Sequence, residues 1–193
     1  MLSILIPTYN YDITQLVNDL HIQAEELGVQ YEIIVMEDGS DQFLVKNQQI
    51  SSLNHCRHIV LPYNIGRSAI RNRLADEARF SFLLFMDCDA AVCKKDYLFR
   101  YLPFCKGKVI VIGGTAYDPA CQNPAFSLRL KYGRERESNL AYLLQPHDKE
   151  NFATFNFLIS KSVFCTIRFD ESIAGYKHRS EEHTSELQSR FGI

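Results

Sequence analysis

The sequence predicts an α/β fold in which an open, mostly parallel sheet is flanked by helices. Three observations carry this. Apolar runs of strand length alternate with segments of helical period through the first half of the chain. The runs are apolar on successive residues, as strands covered on both faces are. Two of them end in acidic pairs, Glu37-Asp38 and Asp87-Cys88-Asp89, and the carboxyl end of parallel strands is where such sheets hold ligands. With 193 residues the chain is long enough for one domain with a sizeable core.

Leu2 to Ile6 is a short strand closed by Pro7. A helix capped by Asp12 follows, with Ile13, Leu16, Val17, Leu20, Ala24 and Leu27 on one face and Gly28 as its stop. Tyr31 to Met36 is a second strand, and a weaker helix spans roughly Gln42 to Leu53. Arg57 to Leu61 is a third strand, followed by Pro62 and the turn Asn64-Ile65-Gly66. Arg67 to Ala78 is helical, and Phe80 to Met86 is the strand that runs into Asp87. Beyond it, Lys95 to Phe104 has a helical pattern and Lys108 to Ile112 a strand pattern ending in Gly113-Gly114. The stretch 117–150 is polar and irregular, with one basic helix candidate at Ser127 to Glu137. Phe152 to Ile159 is a further strand and Lys161 to Ile167 a short helix. Right-handed crossovers between parallel strands are expected throughout.

Composition narrows the function. A formal net charge of −2, with no basic stripe, gives no electrostatic footprint for nucleic acid. The six cysteines include no Cys-x-x-Cys pair and lie in or beside apolar runs, which favours reduced thiols and a cytoplasmic location. Met1 leads directly into a strand without a basic flank, so no signal peptide is expected. No apolar run has the length of a membrane span. Peripheral contact at the inner face of a membrane is compatible with this but not indicated.

Asp-x-Asp is a short pattern and in a loop is most often a solvated turn. At the end of a buried strand it needs a cationic partner, because a desolvated carboxylate is costly. If the strands are parallel, Glu37, Asp38, Asp87 and Asp89 share one sheet edge, and their clustering raises pKa values unless it is compensated. Mg²⁺ is typically held by one or two carboxylates plus substrate phosphates, which fits Asp87 and Asp89. Asp38 could instead accept from a base N–H or a ribose hydroxyl. Gly39 and Gly66 permit tight turns. Arg67 and Arg71 share a face of the following helix, where they could pair with phosphates or with the same carboxylates. Neither Gly-x-Gly-x-x-Gly nor Gly-x-x-x-x-Gly-Lys-Ser/Thr occurs, so dinucleotide and P-loop folds lack their fingerprints.

Four ordered motifs, Ile4-Leu5-Ile6-Pro7-Thr8-Tyr9-Asn10, Ile33 to Ser40, Asn64-Ile65-Gly66-Arg67 and Asp87-Cys88-Asp89, together resemble family 2 glycosyltransferases over about residues 1–178. The resemblance implies a GT-A fold, a nucleoside-diphospho-sugar donor (usually a UDP-sugar), a glycan or lipid-linked acceptor and inversion at the anomeric carbon. It assigns Pro7, Thr8, Tyr9, Asp38 and Asp87 to the nucleotide-sugar, and Asp87 and Asp89 to Mg²⁺ or Mn²⁺; Glu37, Asn64, Arg67 and Arg71 are counted with the nucleotide-sugar site from their place along the same edge. Glu37 stands where the family often has Asp.

The catalytic base is left unassigned. The resemblance implies an acidic pair after a segment like Phe169-Asp170-Glu171…Gly175-Tyr176, directly following His178, and no such pair is there. Arg179 to Ser189 instead resembles the in-frame translation of an adapter used in short-read sequencing libraries. The expectation is a family domain over 1–178, truncated at its C-terminus, followed by a non-native, poorly packed tail at 179–193. Two other functions fit less well. A haloacid-dehalogenase-like phosphatase wants Thr or Val two residues after its second Asp, where Ala91 stands. A truncated, inactive sugar-nucleotide-binding module is the second. The acceptor side is expected in 117–150, where Tyr117, Phe126, Tyr132 and Tyr142, with Phe152 and Phe155 nearby, offer sugar-stacking faces.

Overall fold

A computed structural model describes residues 1–114, 116–117, 127–137 and 154–172. Six strands form one sheet: β1 (Leu2–Thr8), β2 (Tyr31–Glu37), β3 (Cys56–Val60), β4 (Phe82–Met86), β5 (Ile110–Ile112) and β6 (Asn156–Ser160). Their order is β3-β2-β1-β4-β6-β5. The first four are parallel, with Leu2 opposite both Tyr31 and Phe82. β6 runs antiparallel between β4 and β5. The sheet is therefore open and mostly parallel, as the alternation predicted, with a reversed strand that the alternation did not predict.

Helices cover both faces. α1 (Thr14–Leu27) and α4 (Tyr97–Tyr101) pack on the side presented by Ile4, Ile6, Ile33, Val35, Leu84 and Leu158. α3 (Arg67–Glu77) and α6 (Lys161–Ile167) pack on the side presented by Leu5, Ile34, Met36, Leu83, Phe85 and Phe157. Alternate residues of one strand thus serve two cores, which is why the strand sequences are apolar without interruption. Phe85 is the hub of the second core: its ring stacks on Phe157 at 4.9 Å and Phe164 at 5.3 Å, and meets Phe169 edge-on at 6.2 Å.

Several boundaries differ from expectation for local reasons. Pro7 does not close β1 but lies within it, opposite Met36. The Thr8 carbonyl accepts from Asp38 N–H on the β2 side, so by alternation Pro7 turns its nitrogen toward β4. Pairing with β4 has already stopped at Leu5–Phe85. A proline is tolerated where no ladder bond is asked of it. β4 begins at Phe82, because Phe80 N–H is taken by Ser3 Oγ at 3.2 Å.

Asp12 acts one step before the helix: its Oδ1 accepts the Thr14 N–H and hydroxyl while Lys46 pairs with Oδ2. Gly28 ends α1 at φ +61°. The helix expected over 42–53 starts at Phe43 with φ +60° and divides into α2 (Leu44–Asn47) and a 3₁₀ turn at Gln48–Ser52. That expected over 95–104 is α4 tightened into a 3₁₀ turn, Leu102–Phe104, at Pro103. The basic segment is α5 (Ser127–Tyr132) running into a π-helical turn at Gly133–Glu137. β3 lies one residue earlier than expected, and the antiparallel strand is Asn156–Ser160. Phe126, Tyr142, Phe152, the Gly175-Tyr176 segment and the 179–193 tail lie outside the described residues. Among the described residues no helix is long and apolar enough to cross a membrane.

Candidate functional site

β1 and β4 are neighbours up to Leu5 and Phe85 and then part. β1 continues beside β2 to Thr8, whereas Met86 pairs with Asn156 of β6. The strand order reverses here: α1, which leaves β1, and α3, which leads into β4, lie on opposite faces, so this is the switch point of the sheet, where the parted carboxyl ends leave a crevice. Pro7, Thr8 and Tyr9 lie on one side and Asp87, Cys88 and Asp89 on the other. Thr8 is buried and its hydroxyl turns back to the Ile6 carbonyl at 3.4 Å; Tyr9 is 55 % exposed.

The four acidic residues do share one edge, but the expected mutual repulsion is largely resolved by the protein itself. Asp38 is 5 % exposed and accepts the N–H groups of Ile65 at 2.7 Å and Gly66 at 3.1 Å. It thereby ties the Asn64–Gly66 turn to the end of β2, and Asn64 Oδ1 adds a second acceptor for Gly66 N–H at 3.1 Å. Gly39 makes the approach possible. At φ +69° a Cβ there would lie 2.4 Å from Asn64 N and 2.5 Å from Tyr63 C.

Glu37 is fully buried. Its carboxylate takes Ser40 Oγ at 2.5 Å, Asn47 Nδ2 at 2.7 Å and His58 Nε2 at 3.1 Å. Burial by itself pushes this carboxyl up; the three donors, His58 foremost, outweigh it and hold the group below the ordinary glutamate range. Asp87 is paired with Arg71, Nη2 to Oδ1 at 2.5 Å, with the arginine side chain 7 % and the aspartate 21 % exposed. Arg71 also donates to the Arg67 carbonyl at 3.1 Å, and its guanidinium lies over the Phe169 ring at 5.8 Å. Its Nε is buried without a partner among the described residues. Arg67, one turn earlier, is exposed.

Asp89 is the exception. It is exposed and makes no hydrogen bond or ion pair among the described residues. No group of three or more His, Cys, Asp or Glu side chains there is placed to hold a metal ion. The donor set on offer is therefore Asp89 and the second oxygen of Asp87. That suits a hard cation which takes its remaining ligands from water and phosphate, not a closed protein cage. The spacer is inert: burial pushes the Cys88 thiol up to about 11, so it stays protonated at neutral pH.

Sequence reasoning missed the support behind this edge. Asn72 of α3 donates Nδ2 to the Phe169 carbonyl at 2.9 Å and to Glu171 Oε1 at 2.7 Å, and accepts Phe169 N–H at 2.9 Å. Arg168 forks onto Asp76 at 2.9 and 2.8 Å. The Phe169-Asp170-Glu171 segment is thus pinned beside Arg71. An asparagine in a helix carries no signal for a contact nearly a hundred residues away.

The sequence model of the family described as Glycosyl transferase family 2 matches residues 3–168. No curated protein sequence matches the chain. Among solved structures it is similar to TarS 1–349 of S. aureus, with TM-score 0.66 and 17 % identity over 98 % of this chain and 55 % of that one. TarS has also been solved with UDP-GlcNAc, for which the TM-score is 0.64 at 17 % identity, covering 96 % and 52 %. The mannosyltransferase PcManGT of Pyrobaculum calidifontis, in complex with GDP-Man and Mn²⁺, gives 0.56 at 12 % identity, covering 95 % and 50 %. Glucosyl-3-phosphoglycerate synthase of Mycobacterium tuberculosis, with Mn²⁺, UDP and glucosyl-3-phosphoglycerate, gives 0.55 at 17 %, covering 88 % and 60 %. The chain spans about half the length of these structures.

Proposed function

The chain belongs to glycosyl transferase family 2, and from that premise we propose that it takes a sugar from a nucleoside-diphospho-sugar, a UDP-sugar, to a hydroxyl of a glycan or lipid-linked acceptor, with inversion, in polysaccharide or glycoconjugate assembly. The observation that carries the reading is the crevice at the switch point, flanked by Pro7–Tyr9 and Asp87–Asp89 with Asp38 beside it. The UDP and UDP-GlcNAc complexes of its structural neighbours support the choice of nucleotide.

In this reading Tyr9 and Asp38 border the nucleoside, and the Asn64–Gly66 turn that Asp38 holds forms the floor of that half. Asp87, kept in place by Arg71, faces the ribose and donor sugar. Asp89 and the free oxygen of Asp87 would hold Mg²⁺ or Mn²⁺ against the diphosphate; when bound, such an ion stabilises the charge that develops on the leaving group. Arg67, exposed at the first turn of α3, adds positive charge near the same phosphates. The acceptor hydroxyl needs a carboxylate base on the opposite face of the sugar. No acidic pair follows His178 in this sequence, so no residue of the chain is assigned that role. The free thiols among the described residues support a cytoplasmic site of action.

Calorimetry with UDP in the presence and absence of Mn²⁺, on the parent chain and Asp89→Ala, tests the site without requiring turnover. The parent should bind UDP more tightly with Mn²⁺. Asp89→Ala should lose roughly tenfold or more of that metal-dependent gain, as expected when one of two carboxylates on a hard cation is removed. Equal binding by the two proteins removes the metal assignment, and no UDP binding by the parent removes the donor reading.

A further inference from the structure

Glu37 is placed unlike the other three acidic residues, and its surroundings assign it a different task. Its two carboxylate oxygens gather donors from three separate segments: Ser40 in the loop after β2, Asn47 at the end of α2, and His58 in β3. Two of those donors continue outward to the loop after β1. Ser40 Oγ accepts the Asn10 N–H at 3.0 Å. Asn47, which has no exposed surface, crosses the same gap twice more: Oδ1 accepts Ile13 N–H at 3.2 Å and Nδ2 also donates to the Tyr11 carbonyl at 2.8 Å. Asn10 closes the circuit from the other side, its Oδ1 accepting the N–H groups of Asp41 at 2.9 Å and Gln42 at 3.1 Å.

The loops 9–13 and 38–42 are thus joined directly through Asn10 and, through Ser40 and Asn47, are anchored to one buried carboxylate. They are the segments that carry Tyr9 and Asp38. Building on the donor-site reading above, we propose that Glu37 is a positioning residue for the nucleoside half of the site: it touches no donor atom, and it fixes the separation of the two loops between which the base is held. This replaces the sequence-based expectation of a direct nucleotide contact. The charge is essential to the arrangement. An ionised carboxylate is acceptor-only and can receive all three donors, whereas an amide of the same shape must turn an NH₂ toward at least one of them. In Glu37→Gln the amide oxygen keeps Asn47 and His58 only as bonds to a neutral acceptor, and the NH₂ meets Ser40 Oγ, which must turn its own proton away; all three charge-assisted bonds are weakened together.

The experiment compares the parent chain with Glu37→Gln, Asn47→Ala and Glu32→Gln. Glu32 is a useful reference because it is fully buried at the other end of the same strand, bonded to Ser3 and Arg79, far from both loops. Three quantities are measured for each: UDP affinity with Mn²⁺, pyrophosphate affinity with Mn²⁺, and the melting temperature. Glu37→Gln and Asn47→Ala should weaken UDP by roughly tenfold, the scale of one lost charge-assisted hydrogen bond, and leave pyrophosphate unchanged. Glu32→Gln should lower the melting temperature and leave both affinities unchanged.

A parallel fall of UDP and pyrophosphate overturns the proposal, because a general loosening of the fold acts on both probes. So does a UDP affinity of Glu37→Gln equal to that of Glu32→Gln. Should Glu37→Gln fail to fold, Asn47→Ala decides alone by the same two affinities. A parent that binds pyrophosphate–Mn²⁺ but not UDP overturns the donor-site reading itself, and the brace falls with it.

Discussion

Two glycines with nearly the same backbone conformation allow the turn beneath the nucleoside site to be tested against an internal standard. Gly28 has φ +61° and an added Cβ would meet nothing within 4 Å; Gly39 has φ +69° and an added Cβ would meet Asn64 N at 2.4 Å, Tyr63 C at 2.5 Å and Tyr63 Cα at 2.9 Å. Alanine at Gly28 therefore costs only the left-handed conformation, about 1 kcal/mol. Alanine at Gly39 incurs the same cost and must also push the turn away by roughly 1 Å to restore ordinary contact. All three obstructing atoms are backbone, so no side chain can swing aside. Displacing the turn breaks the bonds from Ile65 and Gly66 N–H to Asp38. Hydrogen bonds to a charged group contribute about 1.5–3 kcal/mol each. The expected destabilisation is thus about 4–7 kcal/mol for Gly39→Ala against about 1 kcal/mol for Gly28→Ala. Urea unfolding of both variants and the parent measures the difference, and UDP titration should show a loss for Gly39→Ala alone. Equal destabilisation of the two would refute the claim that the turn is packed against Gly39.

The second core makes a plainer prediction. Phe85→Ala removes a fully buried ring that touches three other aromatic rings, and should cost about 3–5 kcal/mol in denaturant unfolding; a loss under about 1 kcal/mol would mean the cluster is not packed as described. The buried glutamates predict an acid limb. Burial pushes the Glu32 carboxyl up, but the Arg79 N–H, Ser3 and the Arg79 guanidinium together hold it below the ordinary value of 4.5. A carboxyl depressed in the folded state stabilises fully above its unfolded value, and that contribution is lost as pH falls through the folded value. Stability should therefore decline below pH 4.5. Glu32→Gln should flatten this decline, and thermal melts across pH 3 to 6 of the two proteins, roughly bracketing the carboxyl range, would show identical slopes if Glu32 does not contribute.

What the sequence made legible was set by local pattern. β1, α1, β2 and α6 could be placed from their apolar runs or faces, with Gly28 closing α1; α3, whose buried face includes Ser68, Arg71 and Asn72, was placed by the turn at Gly66 before it. The sheet edge bearing the carboxylates followed from parallel order alone. Pairing direction has no local signature, so β6 could be recognised as a strand but not as an antiparallel one. Pro7 misled because its tolerance depends on where β4 stops pairing, which is a property of the sheet. Glu37 and Asp38 are adjacent and chemically alike, yet one is enclosed and the other caps a turn. The difference lies in Asn47 and His58, ten and twenty-one residues further on, whose side chains carry no mark of what they meet.

The insertion of β6 between β4 and β5 has a consequence for how the chain comes together. During synthesis β1 to β4 can assemble with α1 and α3 as soon as residue 86 is free, but one edge of β4 then has no strand beside it. It stays open until residues 156–160 arrive, some seventy positions later, and β5 has no place in the sheet before that. Throughout the interval the nascent protein displays Phe82 to Met86 as an unpaired apolar edge, the kind of surface that pairs with other chains. The later half of the sheet is thus a single delayed event. Chains that stop short of Ser160 should be found in aggregates or bound by chaperones, not as smaller folded domains.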